Sequence, residues 1–459
     1  MNKKSGLLIL LLYLCTTMAL AQLQVSTNKR FLQTADGKPF FWLGDTAWEL
    51  FHRLNREEAT LYLKNRAEKG FTVIQAVALA ELDGLHDPNA YGEIPLENDD
   101  PTKPREAYFQ HVDFIIRKAA ELGIYIGLLP TWGDKVFKAN WGAGPEVFNA
   151  SNAKVYGKWI GNRYKNDKNV VWILGGDRNP RNENDLAVWR AMAAGIEEGS
   201  GKDKALMTYH PQPNGLEDGG SAKWFHQDAW LDFNMFQTGH CRETNVWDRI
   251  QWTYNLKPVK PVFDGEPIYE DHPVCFNPKD LGTSSAYDVR KSAWLAVFAG
   301  AFGHTYGCHD IWQMYAPNRT PVNGPHLPWY VAVDLPGAGQ MQYLKKLIES
   351  RPMFDRVPDQ TIITDGLHAN DRIQATRGND YIFVYSAQGK KFTVTTAKIS
   401  GQEITSYWYN PRNGEVKEIE KSVKKAQQEF TPPTSGYGQD WVLVIDDAGK
   451  KFKLPGETK

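Results

Sequence analysis

Strand-like and helix-like segments alternate through the first three quarters of this chain. Short apolar runs such as Phe71 to Leu79 and Val170 to Leu174 are separated by longer segments with helical spacing. In the segment from Glu106 to Leu122, apolar residues recur every three to four positions, and Gly123 follows as a stop signal. Alternation of this kind is typical of a parallel sheet whose strands are joined by crossover helices.

Eight strands can be counted in this part of the chain. They run over Pro39 to Trp48, Phe71 to Leu79, Ile124 to Leu129, Val170 to Leu174, Ala205 to Tyr209, Phe233 to Gln237, Pro261 to Gly265 and His304 to Gly307. Asn55 and Glu58 have the spacing of a capping box at the start of the first helix. The count predicts an α/β fold, a (β/α)8 TIM barrel over residues 22–350.

Composition changes near Arg351, where short alternating strands replace the strand–helix pattern. Tyr381 to Tyr385, Thr405 to Tyr409 and Trp441 to Ile445 are strand-like, and Asn410 to Gly414 is a strong turn signal. We predict a small antiparallel β-sandwich over residues 351–459, acting as an accessory domain.

The first 21 residues have the features of a signal peptide. A short basic region and the apolar run Leu7 to Leu14 precede Ala19-Leu20-Ala21, a small-x-small cleavage site before Gln22. Cys15 raises the alternative of a lipoprotein, which is disfavoured because Tyr13-Leu14 before it lacks the small residue that a lipid-attachment site usually has. We expect a secreted or periplasmic protein whose mature chain has no membrane-inserted segment.

Charge and cysteine content narrow the classes of function further. The 459 residues carry a net charge of -1, which gives no electrostatic case for a nucleic-acid partner. Cys241, Cys275 and Cys308 remain after cleavage, and their spacing matches no zinc site. The favoured interpretation is small buried side chains near the barrel mouth, and a Cys241–Cys275 or Cys275–Cys308 disulfide is the alternative.

Two carboxylates stand at the ends of predicted strands. Asp177 follows the fourth strand after two glycines, and Glu266 follows the seventh after Gly265. Strand C-termini form the mouth of a parallel barrel, where two facing carboxylates can hydrolyse a glycosidic bond. We predict Asp177 as general acid/base and Glu266 as nucleophile. The alternatives are structural roles. Asp177 could cap a helix or form an ion pair with Arg178 or Arg181, and Glu266 could form an ion pair at the barrel rim.

Asp264 is a competitor for the second position. It lies two residues before Glu266 and shares its face in a regular strand, although Glu266 is nearer the mouth.

Other polar and aromatic residues near strand ends are candidates for substrate binding, because rings and a few hydrogen-bonding groups suit sugars. The predicted set is Asp45, Trp48, Gln75, Trp132, His210, Gln237, His240, Tyr306 and Trp312. A structural bond at the rim is the alternative for Asp45. Among the histidines near strand ends, only His304 and His309 share a ligand-like spacing. Hydrogen bonding or packing therefore outweighs metal binding, and we expect no metal and no cofactor.

Several motifs together resemble the apiosidase-type glycoside hydrolases of family 140. They are Phe41 to Trp48, Trp172 to Asp177, Phe263 to Pro267 and Tyr407 to Pro411. The resemblance covers nearly the whole mature chain. It implies a barrel followed by a sandwich named for collagen binding, with the catalytic pair at Asp177 and Glu266. It also implies a polysaccharide or oligosaccharide substrate, with cleavage of apiosyl linkages in the side chains of rhamnogalacturonan II, a pectin.

The chain departs from many related retaining barrels at the fourth strand, where they carry Asn-Glu and this chain has Gly176-Asp177. Two other functions stay open. One is a catalytically silent protein that binds carbohydrate or matrix, which would have no need of two carboxylates at the mouth. The other is a glycosidase of this fold that acts on a different plant glycan.

Overall fold

A computed structural model describes residues 20–201, 205–213, 215–216 and 220–457. Nearly all of the predicted signal peptide, residues 1–19, lies outside the described residues. Within them, no helix has the length and apolar character needed to cross a bilayer.

The predicted barrel is confirmed, with eight parallel strands in the expected places. The strands are β1 Trp42–Thr46, β2 Val73–Leu79, β3 Tyr125–Thr131, β4 Val170–Gly175, β5 Met207–His210, β6 Asn234–Gln237, β7 Val262–Glu266 and β8 Gly303–Tyr306. Their order in the sheet is β5-β4-β3-β2-β1-β8-β7-β6. Consecutive strands are neighbours, and the chain winds around the barrel once.

Among the described residues, seven long helices accompany the strands. They are α1 Arg56–Glu68, α2 Glu106–Glu121, α3 Ala150–Tyr164, α4 Glu183–Ser200, α5 Val246–Tyr254, α6 Ala286–Phe298 and α7 Pro336–Glu349. Short helices occur at Leu50–Arg53, Ala222–Phe225, Pro278–Leu281, His309–Trp312 and Trp329–Ala332. The predicted capping box is present, since Asn55 Oδ1 accepts from the Glu58 amide and Glu58 Oε2 accepts from the Asn55 amide.

The barrel closes incompletely between β5 and β6. In the described chain, no backbone ladder joins these two strands. Their N-terminal ends are connected through Asp232 instead, whose amide donates to Met207 O at 2.9 Å and whose carboxylate accepts from the Met207 amide at 2.8 Å. The Thr208 hydroxyl donates to Phe233 O at 2.6 Å. The site at the opposite end is therefore built on a nearly closed barrel.

Aromatic rings fill the lower part of the barrel. Trp42, Phe233, Phe263 and Phe302 pack together with ring centroids between 5.0 and 6.4 Å apart. An antiparallel sheet precedes β1, with strands Leu23–Val25, Leu32–Thr34 and Pro39–Phe40. Phe40 packs edge-on against Tyr125 at the start of β3, so this sheet lies at the N-terminal end of the barrel. That end contributes stability, which leaves the opposite end for chemistry.

The C-terminal part is the predicted set of antiparallel sheets. Its strands are β9 Val357–Pro358, β10 Ile373–Arg377, β11 Tyr381–Ser386, β12 Phe392–Thr395, β13 Glu403–Tyr409, β14 Val416–Val423, β15 Gln427–Phe430 and β16 Trp441–Asp447. Six form one sheet in the order β9-β10-β11-β16-β13-β14, and β12 pairs with β15. Ile382, Val384, Leu443 and Ile445 belong to a core of this domain's own.

The other face of the larger sheet packs on α6 of the barrel. Tyr385 stacks on Trp294 with ring centroids 5.8 Å apart, and Phe383 stacks on Phe298 at 6.0 Å. Alternate residues of β11 thus face the two cores, as strand geometry requires.

Candidate active site

A tight turn after β4 places Asp177 at the mouth of the barrel. Gly175, Gly176 and Asp177 have φ of +89°, +117° and +52° in succession. A Cβ on Gly175 would lie 2.3 Å from His210 O, and one on Gly176 would lie 2.7 Å from the Trp132 ring. The two glycines therefore let the chain turn close against its neighbours, and Asp177 occupies the left-handed region that Asp tolerates better than most residues.

A bulge in β7 turns Glu266 toward the pocket. Phe236 pairs with Asp264 and Gln237 pairs with Glu266, so β7 has one extra residue, Gly265, opposite β6. The extra residue breaks the alternation of side chains between the two faces of the strand. The side chains of Asp264 and Glu266 therefore point in different directions. Asp264 accepts from the Thr238 hydroxyl at 2.5 Å and does not line the pocket, while Glu266 does. The competing assignment to Asp264 assumed a regular strand and is corrected.

His210, at the end of β5, contacts both carboxylate-bearing segments. Its Nδ1 accepts from the Asp177 amide at 3.2 Å, and its Nε2 lies 2.8 Å from Glu266 Oε2. Because Nδ1 is an acceptor, a neutral ring carries its proton on Nε2, facing Glu266. His240 Nε2 lies 3.5 Å from the other oxygen of Glu266.

The surroundings of the two acids shift their pKa values in opposite directions. Burial and the charge of Glu266 raise the pKa of Asp177 to about 6, against a smaller opposing effect of Arg178. Burial alone would raise the pKa of Glu266, but the imidazoles of His210 and His240 outweigh it and lower the pKa to about 2. Between these values Asp177 holds a proton while Glu266 is ionised, the division that an acid and a nucleophile need.

The two acids share a cavity of about 630 Å³ at the barrel mouth. Its volume is in the range of sites for small ligands. Among the predicted residues, Asp177, Glu266, Trp48, Trp132, Gln237, His240 and Trp312 line it. Trp48 and Trp132 pack on each other with ring centroids 5.2 Å apart, forming an aromatic wall beside His210. The pocket combines apolar rings with a few polar groups, as a sugar site requires.

Four of the predicted residues lie behind the pocket surface. His210 is fully buried and acts through its contacts with Asp177 and Glu266. Gln75 is inside the barrel, where its Nε2 donates to Gly265 O at 2.9 Å, the residue before Glu266. The prediction that Gln75 contacts substrate is corrected to a supporting position beneath the β7 bulge.

Asp45 and Tyr306 are also removed from the pocket. Asp45 is fully buried and accepts from the Tyr62 hydroxyl and from Arg66 Nε, both at 2.5 Å and both on α1. The Tyr306 hydroxyl donates to Glu270 Oε2 at 2.6 Å. Both side chains face the surrounding layer outside the sheet, so the expectation that they bind substrate is corrected. For Asp45, the structural alternative is the one observed.

Several pocket residues were not predicted, among them Glu81, Trp141, Tyr269 and Phe276. Glu81 lies two residues beyond β2, so the rule that singled out Asp177 and Glu266 could have found it. Burial and the nearby carboxylates of Glu49 and Asp177 raise its pKa well above the usual range.

A disulfide joins two loops of the pocket. Cys241 follows β6 and Cys275 follows β7, and the Cys275 amide donates to His240 O at 2.8 Å. The favoured interpretation of unpaired cysteines is therefore wrong for this pair, and the Cys241–Cys275 alternative is correct. Cys308 is free and buried. Within the described residues, no group of three or more His, Cys, Asp or Glu side chains could hold a metal ion.

Two protein families match the chain over adjacent segments. The family described as "Apiosidase-like, catalytic domain" matches residues 26–355. The family described as "Putative collagen-binding domain of a collagenase" matches residues 357–446. No curated protein sequence matches.

Solved structures with similar folds include two of substantial sequence identity. One, titled "Glycoside hydrolase", is 37% identical with a TM-score of 0.86, over 94% of this chain and 98% of that one. A second, titled as a glycoside hydrolase family 5 protein from Bacteroides vulgatus, is 36% identical with a TM-score of 0.86, over 95% of each chain. A third structure, titled as a "putative glycoside hydrolase" of the same organism, is 17% identical with a TM-score of 0.67 and shares the fold, over 94% of this chain and 83% of that one.

Proposed function

This chain belongs to the apiosidase-like glycoside hydrolases, and from that premise we propose that it is a retaining enzyme using Asp177 and Glu266 as its catalytic pair. The observation that carries the proposal is His210, which contacts the Asp177 amide and the Glu266 carboxylate at once. The imidazole of His210 thereby helps to keep Glu266 ionised beside a second carboxyl group whose pKa is about 6.

The reaction would proceed in two displacements. Glu266 attacks the anomeric carbon while Asp177 transfers its proton to the glycosidic oxygen, and the bond from that oxygen to the anomeric carbon breaks. The leaving group departs as an alcohol, and the sugar remains as an ester of Glu266. The Asp177 carboxylate then takes a proton from water, whose oxygen attacks the anomeric carbon. The ester breaks, Glu266 is released as a carboxylate, and Asp177 is protonated again.

The stereochemical part of the proposal has its own test. A retaining enzyme first releases the sugar with the anomeric configuration of the substrate, and its carboxyl groups lie about 5–5.5 Å apart. Proton NMR during the first minutes of hydrolysis identifies the anomer formed. Initial release of the opposite anomer would show that Glu266 activates water, and would refute its role as nucleophile.

We propose an apiosyl linkage in a pectic side chain as the substrate. Support comes from the family and from a compact pocket with rings and neutral polar groups such as Gln237 and Gln212, which suits a small branched furanose. Incubation with rhamnogalacturonan II side chains should release an apiose-terminated product. The control is a panel of other plant glycans, and cleavage of one of those without release of apiose would overturn the substrate while leaving the mechanism in place.

We also propose that the protein is exported. The basic start, the apolar run and the cleavage site before Gln22 support this, and the Cys241–Cys275 disulfide fits an oxidising compartment. Mass spectrometry of the protein from the periplasm or the medium should give a mature chain that begins at Gln22. An intact N-terminus on a cytoplasmic protein would contradict the proposal.

A further inference from the structure

Trp141 differs from the other tryptophans of the pocket in its exposure. Trp48, Trp132 and Trp312 are at most 8% exposed, whereas Trp141 is 58% exposed at the mouth of the same cavity. A large apolar ring left in water loses the free energy that burial would provide. The exposed ring lines the cavity, so a ligand bound there can contact it.

The ring of Trp141 is held in place from two directions. Its Nε1 donates to Asp177 Oδ2 at 3.3 Å, and the guanidinium carbon of Arg178 lies 4.7 Å from its ring centroid. Arg178 is itself buried and donates to Phe137 O at 2.8 Å and to Lys138 O at 2.9 Å. The loop that carries Trp141 is therefore tied to the turn that carries Asp177, and the indole is positioned before any ligand binds.

Both donors to the Asp177 side chain use the same oxygen. Trp141 Nε1 and, at 3.5 Å, Arg178 Nη1 approach Oδ2, and no described residue donates to Oδ1. Oδ1 is then the oxygen that carries the transferable proton. A general acid delivers its proton to the oxygen of the leaving group, so the leaving group must lie beside Asp177. Trp141 lines the same cavity and is bonded to the Asp177 side chain, so it is next to that position.

We propose that Trp141 forms the leaving-group subsite. In this arrangement its exposed face stacks against the apolar C–H face of the departing sugar ring, and its N–H holds Asp177 with Oδ1 toward the glycosidic oxygen. The inference rests on the proposed role of Asp177 as the acid, and it extends that role by naming the residue that places the leaving group.

The first test separates stacking from the hydrogen bond. Trp141→Phe keeps a ring but loses the N–H, and Trp141→Ala loses both. We expect Trp141→Ala to raise KM about tenfold for an oligosaccharide, and Trp141→Phe to raise it less. For the glycosyl fluoride of the released sugar, which has no leaving-group ring, the increase in KM should be much smaller in both variants. Tyr330→Ala, an exposed aromatic residue outside the pocket, is the matched control and should behave as wild type.

The second test follows the pH profile of kcat/KM on the oligosaccharide. The Trp141 hydrogen bond opposes the rise in the pKa of Asp177, so its removal raises that pKa further. Because the acid acts in its protonated form, the alkaline limb of the profile should move to higher pH in Trp141→Phe. A residue with only a packing role would leave this limb in place.

Two results would overturn the inference. One is wild-type KM for the oligosaccharide in Trp141→Ala, and the other is an unshifted alkaline limb in Trp141→Phe. Asp177→Asn tests separately whether the proposed catalytic pair is correct. If that variant turns over the oligosaccharide normally, the proposed catalytic pair is wrong, whatever Trp141 does.

Discussion

At the scale of single residues, the site depends on Asp177 holding a proton while Glu266 is ionised. Removing either member of the pair should abolish a different step. We expect Asp177→Asn and Glu266→Gln each to lower kcat on an oligosaccharide by about 10²-fold or more. Asp177→Asn should still form the ester of Glu266 from a glycosyl fluoride, whose leaving group needs little protonation, and this ester should accumulate because its hydrolysis needs Asp177 as a base. Glu266→Gln should form no ester.

The thermal unfolding midpoints of these two variants serve as the control, since a folded but inactive protein places the loss in the chemistry. Failure of Asp177→Asn to form the ester, or formation of an ester by Glu266→Gln, would contradict the assigned roles.

Glu81 gives a second prediction at this scale, one that concerns stability. Burial raises its pKa in the folded protein, and the neighbouring carboxylates add to the effect. Below the pKa of the unfolded chain both states are neutral, and above it ionisation favours the unfolded state. The free energy of unfolding therefore decreases as pH rises above the pKa that Glu81 has in the unfolded chain.

Glu81→Gln removes that titration and keeps the shape of the side chain. We expect its unfolding midpoint to exceed that of wild type by about 1 °C at pH 7, a shift that corresponds to about 1 kcal/mol for a chain of this length, and to match wild type at pH 4. Differential scanning calorimetry at the two pH values checks this. An equal gain at both would mean that ionisation of Glu81 is not the cause.

At the scale of elements, the β4 turn and the β7 bulge aim the catalytic side chains. Gly176→Ala should be destabilising and should reduce activity, because the new Cβ would lie 2.7 Å from the Trp132 ring and 2.9 Å from the Gly133 amide nitrogen. Gly123→Ala is the matched control: φ there is +77° and nothing lies within 4 Å. It should cost only the strain of positive φ, about 1–2 kcal/mol.

Urea unfolding and kcat measured on both variants distinguish the cost of backbone strain from the effect of displacing Asp177. A shift of about 1 Å at Asp177 can cost about 10²-fold in rate, so only Gly176→Ala should be strongly impaired. Similar losses in the two variants would mean that the contact with Trp132 is unimportant.

The elements were predictable from sequence and the directions of their side chains were not. The spacing of apolar residues and the glycines that end segments predicted all eight strands, and they placed Asp177 and Glu266 at strand ends. A buried parallel strand is apolar on both faces, so nothing in its pattern says that Asp45 points to α1 and Gln75 to the interior. The register shift at Gly265 is a tertiary property with no signature in one sequence. Trp141 lies in a loop, where periodicity carries no information.

At the scale of the whole molecule, the C-terminal sheets and the barrel share a core. Trp294 and Phe298 are covered by Tyr385 and Phe383, and Arg290 pairs with Asp440 at 2.6 Å in the same interface. Residues 22–350 expressed alone should expose these rings and leave Arg290 without its carboxylate partner Asp440. We expect low solubility and a lower unfolding midpoint for this fragment.

The residual activity of any soluble fragment provides the control, because Asp177, Glu266 and His210 all belong to the barrel. A barrel fragment as stable as the full chain would argue against a shared core. Hydrolysis by residues 351–459 alone would contradict the placement of the site.

The contacts of His210 with Asp177 and Glu266 affect how the pocket binds a charged substrate. Because Glu266 stays ionised and Asp177 titrates at about 6, the pocket gains one negative charge as pH rises through that value. A uronate near the leaving group would then be repelled, and dissolved ions would screen the repulsion. Above pH 6, KM for an acidic oligosaccharide should fall as sodium chloride is added, while KM for a neutral glycosyl fluoride should not change. A glycoside hydrolase of this design would thus bind an acidic substrate best where low pH keeps Asp177 neutral or where dissolved ions screen the repulsion.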